Sequence, residues 1–268
     1  MSLPRAPWRL FLAPFRVANY RTVLRSFRTF EHSGLVLWRY VSNRGEYPYR
    51  VGLRTPTGPI AIELPTYHDL RTANEVFNRR DYAADEVANV VVDLGANIGI
   101  SALYFLTRDP SCRVWCFEPS PINLPRLRDA LAGYGDRVVI DPRAVSDRDG
   151  KASFNAEPIG RYSGLLNEEY TEPVVNVIEV ETVDINAVLR TILETERQID
   201  VLKIDTEGSE ASIIEAIAPS LLSRIREIYV EIDPTHSFDL GPHWTASRTA
   251  GVTRLRNLQT PSSKLEAS

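Results

Sequence analysis

The stretch VVDLGANIG, residues 91–99, decides the fold of this chain. It opens as an apolar run, which is typical of a strand buried on both faces of a parallel sheet. Asp93 interrupts the run, and Gly95 and Gly99 follow it in a short turn. Glycines let the backbone approach a ligand closely, and free amides at a helix start attract a negative group. The stretch therefore predicts a strand, a ligand-binding turn and a helix.

Strand-like and helix-like segments alternate around this turn. Strands are predicted at 89–94, 113–117, 138–140, 200–204 and 227–232, with strand-like pieces at 152–154 and 174–183. Helices are predicted at 98–107, 124–131, 184–193 and 213–221. This βαβα rhythm predicts an α/β fold of Rossmann-like type, with a doubly wound, mainly parallel sheet.

The N-terminal part reads differently from this core. Residues 1–30 contain six arginines and no acid, whereas the rest of the chain has 25 basic and 35 acidic residues. We expect residues 1–48 to form a basic amphipathic extension, and 49–268 the main domain. Residues 49–64 predict a hairpin, and Asp69 is the expected N-cap of a helix that runs to about Arg80. The basic arm either docks on the protein's own acidic face or mediates homo-oligomer or surface association.

Composition narrows the classes of function. A net charge of −4 does not favour binding to nucleic acid. The two cysteines, Cys112 and Cys116, have no histidine or cysteine cluster near them, so we expect no metal site and a reduced, cytoplasmic setting. No apolar stretch reaches the roughly 20 residues needed to span a bilayer.

The turn differs from that of a dinucleotide enzyme, which normally reads G-x-G-x-x-G. Asn97 stands at the middle glycine position, and Asp93 comes directly before the turn. A pyrophosphate is repelled by such an acid, whereas the ammonium of a methionine moiety is attracted to it. Glu118, 25 positions after Asp93, can accept hydrogen bonds from two ribose hydroxyls, a feature that NAD enzymes share.

A third polar segment, KIDTEGSE at 203–210, leaves a predicted buried strand at the edge of the sheet where ligands bind. Glu210 fits an ordinary helix start, where the helix dipole favours an acid. Asp205 and Glu207 fit that explanation less well. The loop 161–164, RYSG, either lines an acceptor pocket or is ordinary surface.

The motifs DLGANIG, FEP and LKIDTEGSE together resemble the FkbM family of methyltransferases over roughly residues 49–232. The resemblance implies a class I fold, S-adenosylmethionine as cofactor, and O-methylation of a sugar, polyketide or other small secondary metabolite. It implies that the turn holds the methionine part, Glu118 the ribose with Asn123 close behind, and a pair after the third strand the adenine. The turn residues are Asp93, Gly95, Ala96, Asn97 and Gly99, and the adenine pair is Ala144 and Val145.

One departure from the family concerns the C-terminus. Only 36 residues follow Ile232, and the tail from Ser247 is polar and weakly patterned. The family fold usually closes with a helix and two antiparallel strands. We therefore expect the last strands to be short, missing or rearranged.

A hydroxyl acceptor must lose its proton, which a positioned base can assist by ~10²–10⁴-fold. Asp205 is the first candidate for this base, followed by Glu207, His68 and Glu231. The loop after residue 204 lacks the N-P-P-Y-like turn of many amino methyltransferases, which favours oxygen as the acceptor. Two alternatives stay open: an NAD-linked oxidoreductase, and a non-catalytic binding protein that keeps the fold.

Overall fold

The structure is a computed structural model, and it describes residues 17–82, 88–160, 163–167, 170–233, 236–249 and 251–260. The chain divides into two compact units, the first ending at Arg80 and the second beginning at Asp81. Among the described residues, no helix combines the length and the apolar character that crossing a bilayer requires.

The first unit contains helices on either side of a hairpin. Its elements are α1 (Val17–Thr29), α2 (Ser33–Ser42), β1 (Tyr49–Thr55), β2 (Gly58–Leu64), α3 (Tyr67–Ala73) and a π-helical segment (Asn74–Arg79). The hairpin predicted at 49–64 is confirmed, with β1 and β2 antiparallel over their whole length. Arg80, with φ of 65°, ends the helical run where the sequence predicted its end.

The hairpin packs with the helices that precede it. Phe30 is fully buried and forms a β-bridge with Leu53, while the Arg54 guanidinium donates to the Phe30 carbonyl at 2.9 Å. The Asn78 side-chain amide donates to Ser26 Oγ at 2.8 Å. Residues 17–80 therefore share one core, which differs from the boundary expected at residue 48.

The start of α3 corrects one sequence prediction. Thr66, and not Asp69, is the N-cap residue. The Asp69 backbone N–H donates to Thr66 Oγ1 at 3.3 Å, and the Thr66 backbone N–H donates to Asp69 Oδ2 at 2.7 Å. This reciprocal pair is a capping box, in which the acid occupies the third helical position.

The second unit contains two sheets and the helices that cover them. Its strands are β3 (Val90–Leu94), β4 (Arg113–Phe117), β5 (Val138–Asp141), β6 (Ala144–Ser146), β7 (Gly150–Asn155), β8 (Gly164–Leu165), β9 (Val177–Asp184), β10 (Ile199–Ile204), β11 (Ile225–Glu231), β12 (Trp244–Thr249) and β13 (Val252–Asn257). Its helices are α4 (Ile100–Leu106), α5 (Asn123–Leu131), a 3₁₀ segment (Ala132–Arg137), α6 (Ile185–Thr195), α7 (Glu210–Ala216) and α8 (Pro219–Leu222).

The larger sheet of the described residues has seven strands in the order β12-β13-β11-β10-β3-β4-β5. The pairs from β11 to β5 are parallel, and β13 is antiparallel to both of its neighbours. Every residue of β3 and β10 is buried, as two central strands covered on both faces require. The mainly parallel α/β sheet predicted from the sequence is therefore confirmed.

The C-terminal strands correct the expectation of a shortened or rearranged end. β12 and β13 form a hairpin of six residues in each strand, and β13 pairs with β11. The hydrophobic pattern of the C-terminal tail is weak because β12 lies at the sheet edge, where all of its residues but Trp244 are exposed. In β13, Val252 and Leu255 are the buried apolar residues. No helix occurs between β11 and β12 in the described part of that connection.

A smaller sheet, with the order β6-β9-β7-β8, lies between β5 and β10 in the chain. The sequence predicted strands in this region but not that they form a sheet of their own. Phe154, Leu165 and Val180 belong to its small core. β6 and β8 bring the residues near 144 and 165 to the site described next.

Candidate active site

The turn after β3 has a backbone that few residues can adopt. Gly95 and Gly99 have φ values of 74° and 89°, and Asn97 has 50°. This left-handed region favours glycine, and asparagine is among the few other residues that enter it readily. A β-carbon on Gly95 would also collide with the backbone carbonyl oxygen of Asp205. Gly95 is therefore required both by its own φ and by the close approach of the chain after β10.

Glu118 follows β4 directly and is held by two backbone groups. Its Oε2 accepts from the Asn97 N–H at 2.8 Å, and its Oε1 accepts from the Ser120 N–H at 2.9 Å. Burial raises the pKa of the Glu118 carboxyl to about 7, although the two N–H groups act to lower it. Each carboxylate oxygen has a further lone pair, so Glu118 can still accept from the hydroxyls of a ligand.

A loop after β7 closes over the turn. The Gly160 carbonyl accepts from the Asn123 side-chain amide at 2.9 Å and from that of Asn97 at 3.3 Å. Gly160 has φ of 80°, and a β-carbon there would collide with Asn123 Oδ1. Asn123 Oδ1 is buried and has no hydrogen-bond partner among the described residues. The amide thus fixes the loop through its nitrogen and keeps its oxygen for another donor.

These groups surround one cavity, with about 540 Å³ of space free of protein atoms, part of it open to solvent. Eight residues predicted for the site line it: Gly95, Asn97, Glu118, Asn123, Ala144, Val145, Asp205 and Glu207. Residues from three separate strand ends and from the smaller sheet therefore meet around this cavity.

The lining also contains residues that the sequence reasoning missed: Phe117, Pro119, Phe154, Gly160, Leu165 and Thr206. Three of them, Phe117, Pro119 and Thr206, are direct neighbours of predicted site residues in the sequence, so their place in the cavity could have been predicted from the motifs. Ser163, from the predicted loop 161–164, is part of the lining, whereas Arg161 and Tyr162 lie outside the described residues.

Asp93 lies beneath this cavity and not in its lining. The residue is fully buried, its Oδ2 accepts from Ser101 Oγ at 2.5 Å, and its Oδ1 lies 3.0 Å from Lys203 Nζ. The expected direct contact between Asp93 and a ligand ammonium does not fit these surroundings. We propose instead that Asp93 supports the site through Lys203.

Lys203 connects the buried acid to the turn. Its Nζ donates to the Gly95 carbonyl at 2.8 Å and lies 3.5 Å from Asp205 Oδ2. Burial alone lowers the pKa of a lysine, but Asp93 and Asp205 outweigh it and raise the pKa of Lys203 above its usual value. Lys203 therefore stays charged and ties the turn to the end of β10. The sequence did indicate such partners, because a lysine within the apolar run VLKI is buried with its strand, and a buried lysine needs polar or charged neighbours.

The acidic residues after β10 have two different roles. Glu210 accepts from the Thr206 and Gly208 backbone N–H groups at 2.7 and 2.9 Å, so it holds the loop at the start of α7. Glu207 lines the cavity with φ of 57°. Burial, followed by the charges of Asp205 and Glu210, raises the pKa of Glu207 to about 8. Glu207 can thus gain or lose a proton near neutral pH.

The two remaining catalytic candidates, Glu231 and His68, are not among the residues that line the cavity. Glu231 is an exposed residue at the end of β11, and its Oε1 accepts from the Tyr82 hydroxyl at 3.2 Å. His68 is part of α3 in the first unit, and its assignment stays a prediction. Among the described residues, no group of three or more histidine, cysteine or acidic side chains has an arrangement suited to a metal ion.

The strand order and the cavity at the carboxyl ends of β3, β4 and β10 define a class I methyltransferase fold of Rossmann-like type. The chain belongs to the FkbM methyltransferase family: the model of the Methyltransferase FkbM domain matches residues 93–252. The family inferred from the motifs is thereby confirmed.

Three curated relatives carry names that mention biosynthesis or methylation. The chain is 27% identical over 209 residues to 31-O-demethyl-FK506 methyltransferase FkbM of Streptomyces tacrolimicus, covering 67% of this chain and 80% of the relative. It is 29% identical over 156 residues to 2-O-methyltransferase NoeI of Sinorhizobium fredii, covering 53% and 62%. It is 25% identical over 219 residues to AMB antimetabolite synthetase AmbE of Pseudomonas aeruginosa, covering 65% of this chain but only 10% of AmbE.

Among solved structures, the chain is similar to methyltransferase FkbM of Methylobacillus flagellatus, with 16% identity and a TM-score of 0.38. That alignment covers 62% of this chain and 43% of the other.

Proposed function

We propose that the protein is an S-adenosylmethionine-dependent O-methyltransferase that acts on a hydroxyl of a small molecule such as a sugar or a polyketide. The observation that carries this proposal is the cavity itself, whose lining contains the glycine turn and Glu118 together with the acids Asp205 and Glu207. The names of the FkbM and NoeI relatives, both of which specify methylation at a numbered oxygen, support oxygen as the acceptor.

The residues present fit this cofactor. The glycine turn brings its backbone, without a side chain at Gly95, to the cavity wall, and Asn123 Oδ1 is a buried acceptor without a partner among the described residues. Glu118 would accept from the ribose hydroxyls, and Ala144 and Val145 would pack beside the adenine. S-adenosylmethionine, when bound, supplies an activated methyl group on a sulfonium.

The chain's own tasks are then positioning and proton removal. The turn and the loop at Gly160 hold the methyl donor and restrict water in the cavity. Both effects favour transfer with the donor and the acceptor hydroxyl aligned. Glu207 or Asp205 accepts the proton of the acceptor hydroxyl as it is lost. We place Glu207 first, because Asp205 already has a cationic neighbour in Lys203 at 3.5 Å.

Calorimetry with three ligands tests the proposal. We expect S-adenosylmethionine and its demethylated product to bind and NAD not to bind, because Asn97 stands where a dinucleotide-binding turn has its middle glycine. A methyl-transfer screen of polyols, glycosides and polyketide lactones, with matched amines, then tests the acceptor. Binding of NAD without binding of the sulfonium would contradict the cofactor assignment, and transfer to amines alone would contradict oxygen as the acceptor.

Cofactor affinity should depend on pH through Glu118. Its pKa is about 7 without a ligand, and ribose hydroxyls donate to the ionised form, so binding lowers that pKa. Affinity should therefore weaken as the pH falls below 7, by about tenfold between pH 8 and pH 6. Titrations of the wild type and of Glu118→Gln at both pH values measure this.

The Glu118→Gln variant should bind more weakly at pH 8 and lose the difference between the two pH values. Glu179→Gln, a change at an exposed acid on β9, is the matched control and should behave like the wild type. An unchanged affinity in Glu118→Gln, with an intact thermal melt, would remove Glu118 from the site.

A further inference from the structure

Helices α1 and α2 of the first unit expose large apolar side chains. The exposed fractions are 67% for Leu24 and 57% for Phe27 on α1, and 52% for Trp38 and 79% for Val41 on α2. Val23 and Leu35 are exposed as well. The two helices pack against each other, so the six exposed side chains belong to neighbouring helices of one unit.

The exposed apolar residues of α1 occupy one side of the helix. At 100° per residue, Val23, Leu24 and Phe27 fall within about a third of the helix circumference. Ser26 is fully buried on another side, and Arg25 and Arg28 are exposed on a third. The helix thus has a packed face, an apolar outer face and a basic edge beside that outer face.

The charge around this apolar surface is mainly positive, with the exposed Glu31 between the two helices as an exception. Neither α1 nor α2 contains an acidic residue. Residues 1–80 contain thirteen arginines and five acids, whereas residues 81–268 contain 18 basic and 30 acidic residues. Aromatic and aliphatic side chains bordered by arginines are the pattern of helices that lie in a membrane interface.

We propose that α1 and α2 form a docking surface for an anionic lipid bilayer. Leu24, Phe27 and Trp38 would enter the boundary of headgroups and acyl chains, and Arg25 and Arg28 would pair with lipid phosphates. A second copy of the same surface is a poorer partner, because a two-fold contact would bring like-charged arginines towards one another. This surface is independent of the proposed methyl transfer.

Flotation of the full chain with lipid vesicles tests the proposal. The protein should float with vesicles of phosphatidylcholine and phosphatidylglycerol at 7:3, much less with phosphatidylcholine alone, and less at 0.5 M salt. The double variant Phe27→Ser/Trp38→Ser should lower the partition coefficient by at least about tenfold. Arg25→Glu/Arg28→Glu should do the same, because an anionic surface attracts arginines that lie near it and repels glutamates.

Two matched controls change exposed residues of the second unit. Val174→Ser/Val175→Ser removes two exposed valines, and Arg148→Glu/Arg190→Glu reverses two exposed arginines. Both should float like the wild type, and all four variants should keep the wild-type thermal melt. Wild-type protein that stays unbound, or a Phe27→Ser/Trp38→Ser variant that floats normally, would overturn the proposal. So would a lipid-free dimer, seen by sedimentation velocity, that these α1 and α2 changes dissociate.

Discussion

Lys203→Met is expected to destabilise the fold by about 3–5 kcal/mol, the range for removing one partner of a buried ion pair. Lys203 and Asp93 are both enclosed, with 2% and 0% exposure, and their charged groups lie 3.0 Å apart. Methionine fills much of the same volume but leaves the Asp93 carboxylate without its counter-charge. It also removes the donor to the Gly95 carbonyl, so the glycine turn loses a contact with β10. Urea unfolding followed by circular dichroism measures the loss.

The double variant Lys203→Met/Asp93→Asn separates charge from packing. Asparagine removes the uncompensated carboxylate and keeps a group that can bond Ser101, so most of the lost stability should return. Lys151→Met is the matched control, because Lys151 pairs with Glu179 at an exposed site and should melt like the wild type. A Lys203→Met protein as stable as the wild type would show that Lys203 does not stabilise Asp93.

The elements that carry the cofactor site could be predicted from sequence because their signals are local. The run before Gly95 must be a buried strand, and the positions of Gly95 and Gly99 require a backbone that other residues rarely adopt. The predicted strand 113–117 matches β4 in its bounds, and Asp184, predicted as the start of a helix, is the N-cap of α6. These features depend on residues that are close in the chain.

The contacts of Lys203 could not be predicted in this way, because its acceptor Gly95 lies 108 positions away. Which groups meet at a sheet edge depends on strand order, and the sequence gives strands without their order. β12 was not recognised for another reason: a polar edge strand has no buried face to produce an alternating pattern. In β13 the buried apolar residues, Val252 and Leu255, are three positions apart and so do not alternate either. The closing of Gly160 over Asn97 likewise depends on a small second sheet whose pairing no local pattern shows.

Glu207→Gln is expected to lower turnover by at least ~10²-fold, the low end for a lost general base. The affinity for the cofactor should stay within a few-fold of the wild-type value. Glu207 lines the cavity, and the groups that act on it most, after burial, are the acids Asp205 and Glu210. Its pKa of about 8 is close to working pH, which suits a group that must accept a proton and then lose it. Glutamine keeps the size and removes the proton acceptor.

The pH profile distinguishes this role from a structural one. Only the ionised form of Glu207 can act as a base, so kcat/KM for the acceptor, measured at saturating donor, should rise with pH. The rise should end at or below about pH 8, because a cation held in the cavity lowers the pKa of Glu207 from its unliganded value of about 8. Glu207→Gln should lose this limb of the profile.

Asp205→Asn is the matched variant at the same edge of the sheet. Asp205 lies 3.5 Å from Lys203 Nζ, so its loss should disturb the support of the turn more than proton transfer. We expect Asp205→Asn to keep the rise of rate with pH while changing KM for the donor. Normal turnover in Glu207→Gln, together with a flat profile and slow turnover in Asp205→Asn, would assign the base to Asp205 and leave Glu207 as a polar wall of the cavity.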